Sequence, residues 1–338
     1  MKNILRTIVV LSCFSISGCS SADNLENNKG NSMNKFSEMK NWCIGRYTFQ
    51  IPKESELIGG NDRYGSFNIE SETFVPISKF NNDINKLLKE YLVEGNFIKD
   101  QTKVELNGDI ITKIIWGHST YAEGRLPVEV FAFVYDKPKK ILFKIKGTYS
   151  KEYEEKSIAS IKNLVNNLSG RKNDKIPDMI GVCIQNGFIK DSGELFKYSN
   201  QSLGFNIKNL PSLRIAIQTE ATSEKLDNLI DRTTKNIKKT SIAASVFSSI
   251  KTIRKGEKSQ NSIPSINGYE WIISVPMKGI NGINGKWEHT GTARNGLDSL
   301  IQLEVNSGNS NTITDSASIG EQEALFLYEK ILNSIKKF

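Results

Sequence analysis

Cys43-Ile44-Gly45-Arg46-Tyr47-Thr48-Phe49-Gln50-Ile51-Pro52 opens the ordered part of the chain, and Cys183-Ile184-Gln185-Asn186-Gly187-Phe188-Ile189 echoes it in the second half. Each is a short apolar run headed by a cysteine, and the patterns that follow recur in the same succession. A strand containing Phe-Asn-Ile comes next, at Phe67-Asn68-Ile69 and at Phe205-Asn206-Ile207. Then comes a helix, with Ile84, Leu87, Leu88, Tyr91 and Leu92 in the first half and Leu226, Leu229, Ile230 and Ile237 in the second. Spacings of three and four put those side chains on one helical face. Strand-like runs follow at 110–116, 129–135 and 141–146, and again at 246–253, 269–275, 287–293 and 299–305. Asp136-Lys137-Pro138-Lys139-Lys140 reads as a hairpin turn. Both halves close with an amphipathic helix, one built on Ile158, Ile161, Leu164, Val165 and Leu168, the other on Leu325, Tyr328, Ile331, Leu332 and Ile335. The expected fold is α+β: two related domains of order β-β-α-β-β-β-α, each an antiparallel sheet packed with two helices. The polar break Ser169 to Lys175, ending at Pro177, sets the expected boundaries at 42–170 and 181–338, with 171–180 as a linker.

The chain starts with a different kind of signal. Lys2 and Arg6 precede a short apolar run from Ile8 to Ile16, and Ile16-Ser17-Gly18-Cys19 fits the pattern cleaved ahead of a lipid-modified cysteine. The run is too short for a bilayer core of about 30 Å. The expectation is a leader at 1–18 and a mature chain anchored through acyl groups on Cys19; an ordinary secretory signal cut elsewhere is the competing reading. Ser20, rather than Asp, after the cysteine favours the outer membrane, with the folded part in the periplasm. Residues 19–41 are polar enough to serve as a flexible tether.

Composition narrows the classes further. The formal charge of +8 includes Lys2 and Arg6. The remaining excess is scattered over Lys137–Lys140, Lys235–Lys239 and Lys336-Lys337 among acidic residues. A nucleic-acid surface needs a concentrated basic stripe, so no nucleic-acid partner is expected. Of four cysteines, Cys13 leaves with the leader and Cys19 carries lipid. Cys43 and Cys183 either bridge, closing a loop worth roughly 4–5 kcal/mol of chain entropy, or stay as two buried thiols. Two cysteines and the distant His118 and His289 offer no metal-ligand spacing, so neither metal nor cofactor is expected.

The search for catalytic chemistry finds no G-x-S-x-G elbow and no H-E-x-x-H. Gly279-Ile280-Asn281-Gly282-Ile283-Asn284-Gly285-Lys286 fails as a phosphate loop. Its glycine spacing is wrong and Trp287 stands where Ser or Thr would hold Mg²⁺, so a surface loop is expected there. Tyr, Trp and Arg dominate interface energies. On that ground Trp116, Tyr121 and Arg125 around one turn, and Trp287 and Arg294 after the Gly/Asn run, are candidate partner contacts; the alternative places both tryptophans in the core.

With this leader, the C-x-G-R-aromatic…Pro opening at Cys43–Pro52 and the Cys183–Phe188 opening resemble the two-domain lipoproteins that confer immunity to type VI secretion phospholipase effectors. The resemblance spans 42–338. It implies a non-enzymatic periplasmic protein that binds and inhibits a cognate lipase delivered by a sister cell, and it transfers no catalytic residue. An envelope-assembly or small-molecule-binding lipoprotein is the alternative, and an envelope-acting enzyme a more distant one.

Overall fold

The first half runs β1 (Met39–Ile44), β2 (Tyr47–Pro52), β3 (Ser55–Tyr64), β4 (Phe67–Thr73), α1 (Ile77–Val93), β5 (Phe97–Gln101), β6 (Glu105–Asn107), β7 (Ile110–His118), β8 (Val128–Asp136), β9 (Ile141–Tyr149), α2 (Glu154–Asn167) and β10 (Leu168–Gly170). The second runs β11 (Gly181–Ile184), β12 (Gly187–Lys190), β13 (Ser199–Ile207), β14 (Leu210–Ala221), α3 (Leu229–Lys239), β15 (Thr252–Ser259), β16 (Asn267–Val275), β17 (Gly282–His289), β18 (Leu300–Asn306), α4 (Glu321–Ser334) and β19 (Lys336–Lys337). This computed structural model describes residues 33–93, 97–118, 128–239, 251–261, 263–308 and 316–338. The leader, Cys19 and most of the tether lie outside them. Phe36 is already buried and β1 begins at Met39, so order starts ahead of Trp42.

The sheet order is β15-β16-β17-β18-β14-β13-β3-β4-β9-β8-β7-β5, with β6 on β7. Read outward from the β3–β13 seam, the two directions carry equivalent strands in the same order, so the internal duplication expected from sequence is present. The α+β class is too: among the described residues the elements are antiparallel strands and four α-helices. The halves differ from separate modules in one respect, since Phe36–Phe338 is a single compact unit with one sheet running through it. The cause is an edge. β3 pairs β4 and β13 pairs β14, which leaves each with a free row of backbone donors and acceptors; antiparallel pairing from Ser55↔Ile207 to Tyr64↔Ser199 satisfies both rows at once.

Two smaller sheets tie the halves more firmly. The order β1-β2-β19 joins the first hairpin to the C-terminal strand, and β10-β12-β11 joins the second hairpin to the strand after α2. The hairpins are therefore exchanged. Trp42, Ile44, Tyr47, Phe49 and Ile51 of the first hairpin pack with Leu203, Phe205, Ile217, Trp287, Tyr328 and Ile331 of the second half. Val182, Ile184 and Ile189 of the second hairpin pack with Val130, Phe143, Ile161 and Leu164 of the first. The expected boundary at 171–180 is thus corrected: each opening hairpin belongs to the other half's core, and Arg171 within the expected linker is buried.

Two other expectations change. The Gly-rich stretch at 279–286 is not a surface loop over its length, because Gly282 onward is β17. Its glycines serve close packing: a Cβ on Gly285 would stand 3.3 Å from the Tyr328 ring of α4. The Phe-Asn-Ile echo pairs strands that are not topological equivalents, since Phe67 opens β4 while Phe205 lies in β13.

Candidate functional site

Alternation assigns each strand two faces. Leu203, Phe205 and Ile207 of β13 and Leu213, Ile215 and Ile217 of β14 point to the face covered by α4 and the hairpins. Phe67, Ile69, Phe143 and Ile145 point to the same side, under α2. The opposite face is covered at its two ends only by helices among the described residues. α1 buries Phe80, Ile84 and Tyr91 against Ile115, Phe131 and Phe133 at one end. At the other, Arg232 of α3 holds Glu288 of β17, with Nη1 to Oε1 at 2.9 Å.

Between α1 and α3 the central strands present an open floor. One row across it reads Lys286, Glu304, Ala216, Gly204 and Gly59. A second reads Gln302, Gln218, Ser202 and Asn61, and a third Asn284, Asn306, Arg214 and Asn206. Ile58, 55% exposed, lies beside Gly204 at its centre. A small apolar spot ringed by amides, hydroxyls and the Lys286–Glu304 pair at 3.0 Å has the anatomy of a protein-recognition surface. The wall at α1 is charged. Lys79 and Lys144 bridge Glu72 and Asp83 at 2.5–3.3 Å, beside a cleft of about 400 Å³. Burial pushes both carboxyls up, but the lysine hydrogen bonds and charges outweigh it and hold them below their ordinary values.

Behind the floor, the exchanged hairpins meet at a knot. Cys43 and Cys183 form a disulfide with Cα atoms 5.8 Å apart, and the Gly45 and Cys183 backbones exchange hydrogen bonds at 2.7 and 2.9 Å. Gly45 sits at φ +54°, and a Cβ there would lie 2.4 Å from Thr219 Cγ2, so the loop demands glycine. Arg46 is buried. Its guanidinium donates to the carbonyls of Gly181 and Asp191 at 3.2 and 2.9 Å and pairs the Asp191 carboxylate at 3.2 Å. Arg171 serves the other hairpin, donating to five carbonyls including Gly187 and Ile184. Asp62 accepts the Gln185 N–H at 2.9 Å, and burial pushes its carboxyl up to about 7 against that bond and the Arg171 charge.

The candidate contact residues scatter. Trp287 is fully buried in the second-half core, its Nε1 donating to the Lys258 carbonyl at 2.8 Å, so the core alternative holds and it faces no partner. Trp116 is half-buried against the first-half core. Arg294 is exposed on the β17–β18 turn, at φ +57°. Tyr121 and Arg125 lie outside the described residues. Sequence reasoning missed the floor, whose small and amide residues give no motif; the Gly59-Gly60 pair was its one signal. No group of three or more His, Cys, Asp or Glu capable of holding a metal occurs among the described residues.

What this arrangement offers is recognition through a preformed surface. Residues 175–337 match the family model described as the Tle cognate immunity protein 4 C-terminal domain. No curated protein matches the chain. Among solved structures, a chain in the crystal structure of a Tle4–Tli4 complex is similar, with a TM-score of 0.73 and 20% identity, covering 89% of this chain and 98% of that one. The apo immunity protein TplEi of the T6SS of Pseudomonas aeruginosa is also similar, with a TM-score of 0.70 and 20% identity, covering 88% and 97%. So is TplEi complexed with an "L" peptide, at 0.71 and 19%, covering 89% and 99%. The fold class is therefore that of type VI secretion immunity proteins. The family match over 175–337 and the shared fold agree with the resemblance read from the cysteine-headed openings.

Proposed function

We propose that this chain binds and inhibits a cognate type VI secretion lipase effector, and that it does so from the periplasm, tethered to the outer membrane by lipid on Cys19. The observation that supports the reading most is the family match over 175–337, set within a chain whose whole fold parallels that of immunity proteins. The open floor between α1 and α3 supplies the gripping surface, with Ile58 as its apolar anchor and the amide rows as its rim. A rigid sheet seamed at β3–β13 presents both walls to one partner at a fixed separation, which removes ordering cost on binding. Occupying the lid or entrance of a lipase would block its access to phospholipid, and the tether would station the inhibitor beside the membrane under attack.

The test has two parts. Deleting the gene should expose cells to killing by kin that deliver the lipase, and full survival would refute inhibition. In the purified pair, Ile58→Asp with Ala216→Arg should weaken the stoichiometric complex at least about tenfold at unchanged protein stability; an unchanged complex would move the grip elsewhere. Metabolic labelling with palmitate, lost in Cys19→Ser, checks the anchor.

A further inference from the structure

A projecting aromatic stands at the end of the sheet where β4 leaves for α1. Phe74 is 87% exposed and holds φ at +59°. A side chain other than glycine in this left-handed region crowds its neighbouring carbonyl, so the conformation costs stability that burial of the ring does not return. Ile77, 46% exposed, and the exposed Pro138 flank it. The β8–β9 turn supplies the charge, with Lys137, Lys139 and Lys140. The Val75 N–H donates to the Lys140 carbonyl at 3.2 Å and the Tyr135 hydroxyl to the Val75 carbonyl at 3.0 Å, so the turn and the aromatic form one braced tip. Lys139 reaches Asp136 at 3.0 Å, whereas Lys137 and Lys140 enter no ion pair among the described residues. Of the nearby acids, Glu72 is engaged by Lys79 and Lys144, and Asp109 is exposed beside Lys137.

The equivalent tip of the second half is also joined by a backbone hydrogen bond, in the opposite direction, the turn's Arg294 N–H donating to the Thr222 carbonyl at 2.8 Å. It carries Ser223, Glu224 and Lys225 where the first half has Phe74, so the aromatic is particular to one end.

We propose that the Phe74 tip docks on the surface of an anionic phospholipid bilayer, with the phenyl ring and Ile77 entering the headgroup–acyl boundary and Lys137 and Lys140 meeting lipid phosphates. A projecting ring beside Ile77, fringed by unpaired lysines, fits that boundary, with apolar atoms at the acyl edge and positive charge at the phosphates. This contact is independent of the effector reading. It would orient the molecule on the membrane as well as hold it there.

The experiment is vesicle co-sedimentation of the chain from Ser20 onward, which keeps the whole compact unit and lacks the leader and Cys19. Vesicles of phosphatidylcholine alone are compared with phosphatidylcholine–phosphatidylglycerol mixtures. We expect preference for the anionic vesicles, weakened by salt. Phe74→Gly should lower partitioning roughly tenfold, and it suits the left-handed backbone, so its unfolding midpoint should hold or rise. Lys137→Glu and Lys140→Glu should each cost more than about fivefold and flatten the salt dependence. Equal binding to both vesicle types, or variants that bind like the parent, would overturn the proposal. So would variants that lose an effector lipase while keeping their vesicle binding, which would make the tip a protein contact.

Discussion

The two exchanged hairpins perform the same topological task with different chemistry. The first enters the opposite core with Trp42, Tyr47, Phe49 and Ile51, and it has a glycine at its left-handed loop position. The second enters with the smaller Val182, Ile184 and Ile189, turns on Asn186 at φ +58°, and leans on buried polar partners, Arg171 and Asp62. The balance therefore differs: the first hairpin brings the larger apolar area, with Arg46 bracing its loop, and the second brings less and relies more on the hydrogen bonds of Arg171 and Asp62. A non-directional force tolerates adjustment, whereas a buried polar network fixes position and fails when one member changes. The disulfide between them couples a forgiving joint to an exacting one.

Breaking that coupling should have the largest effect. Cys43→Ala with Cys183→Ala should lower unfolding free energy by roughly 4–5 kcal/mol on chain-entropy grounds, read by chemical denaturation; an unmoved midpoint would mean that the seam alone holds the halves together. Next, Phe49→Ala should cost about 3–5 kcal/mol and Ile189→Ala about 2–4 kcal/mol. Equal losses would erase the contrast between the hairpins. Gly45→Ala combines a left-handed φ with the Thr219 clash and should cost about 2 kcal/mol. Asn186→Gly keeps the left-handed turn but removes the side-chain hydrogen bonds with Asn173 at 2.8 Å and Ser71 at 3.1 Å, so it should cost about 1 kcal/mol.

The polar joint also predicts a pH signature. A carboxyl raised in the folded state contributes most below its unfolded pKa, near 4, and that contribution is lost as pH rises through the folded value of about 7. Thermal midpoints measured from pH 4 to 8 should therefore fall for the parent relative to Asp62→Asn. Parallel curves would show that Asp62 does not titrate in that window.

Much of this architecture was legible in the sequence, and the gaps have physical causes. Helical periodicity placed α1, α2 and α4, and β-branched and aromatic runs placed β7, β8, β9 and β16. The exchange was not legible, because local pattern states that Ile44, Tyr47 and Phe49 are buried but not in which core. β3 was invisible for a related reason: Ser55–Tyr64 carries two glycines and mostly exposed side chains, and becomes a strand only because β4 and β13 flank it. Trp287 was ambiguous because glycine and asparagine in β17 hid the alternation that buries it. The recognition surface gave least warning, since a floor of small and amide residues has no motif until neighbouring strands bring them side by side.

The pairing of β2 with β19 has a consequence for biosynthesis. Tyr47 and Thr48, near the start of the described residues, pair on one side with β1 and on the other with Lys337 and Lys336, far along the chain. A nascent chain emerging from the ribosome therefore cannot complete the second-half core until α4 has followed, whereas the first-half core closes once the second hairpin is made. Loss of α4 and β19 to a late stop codon would strand an aromatic hairpin some three hundred residues upstream.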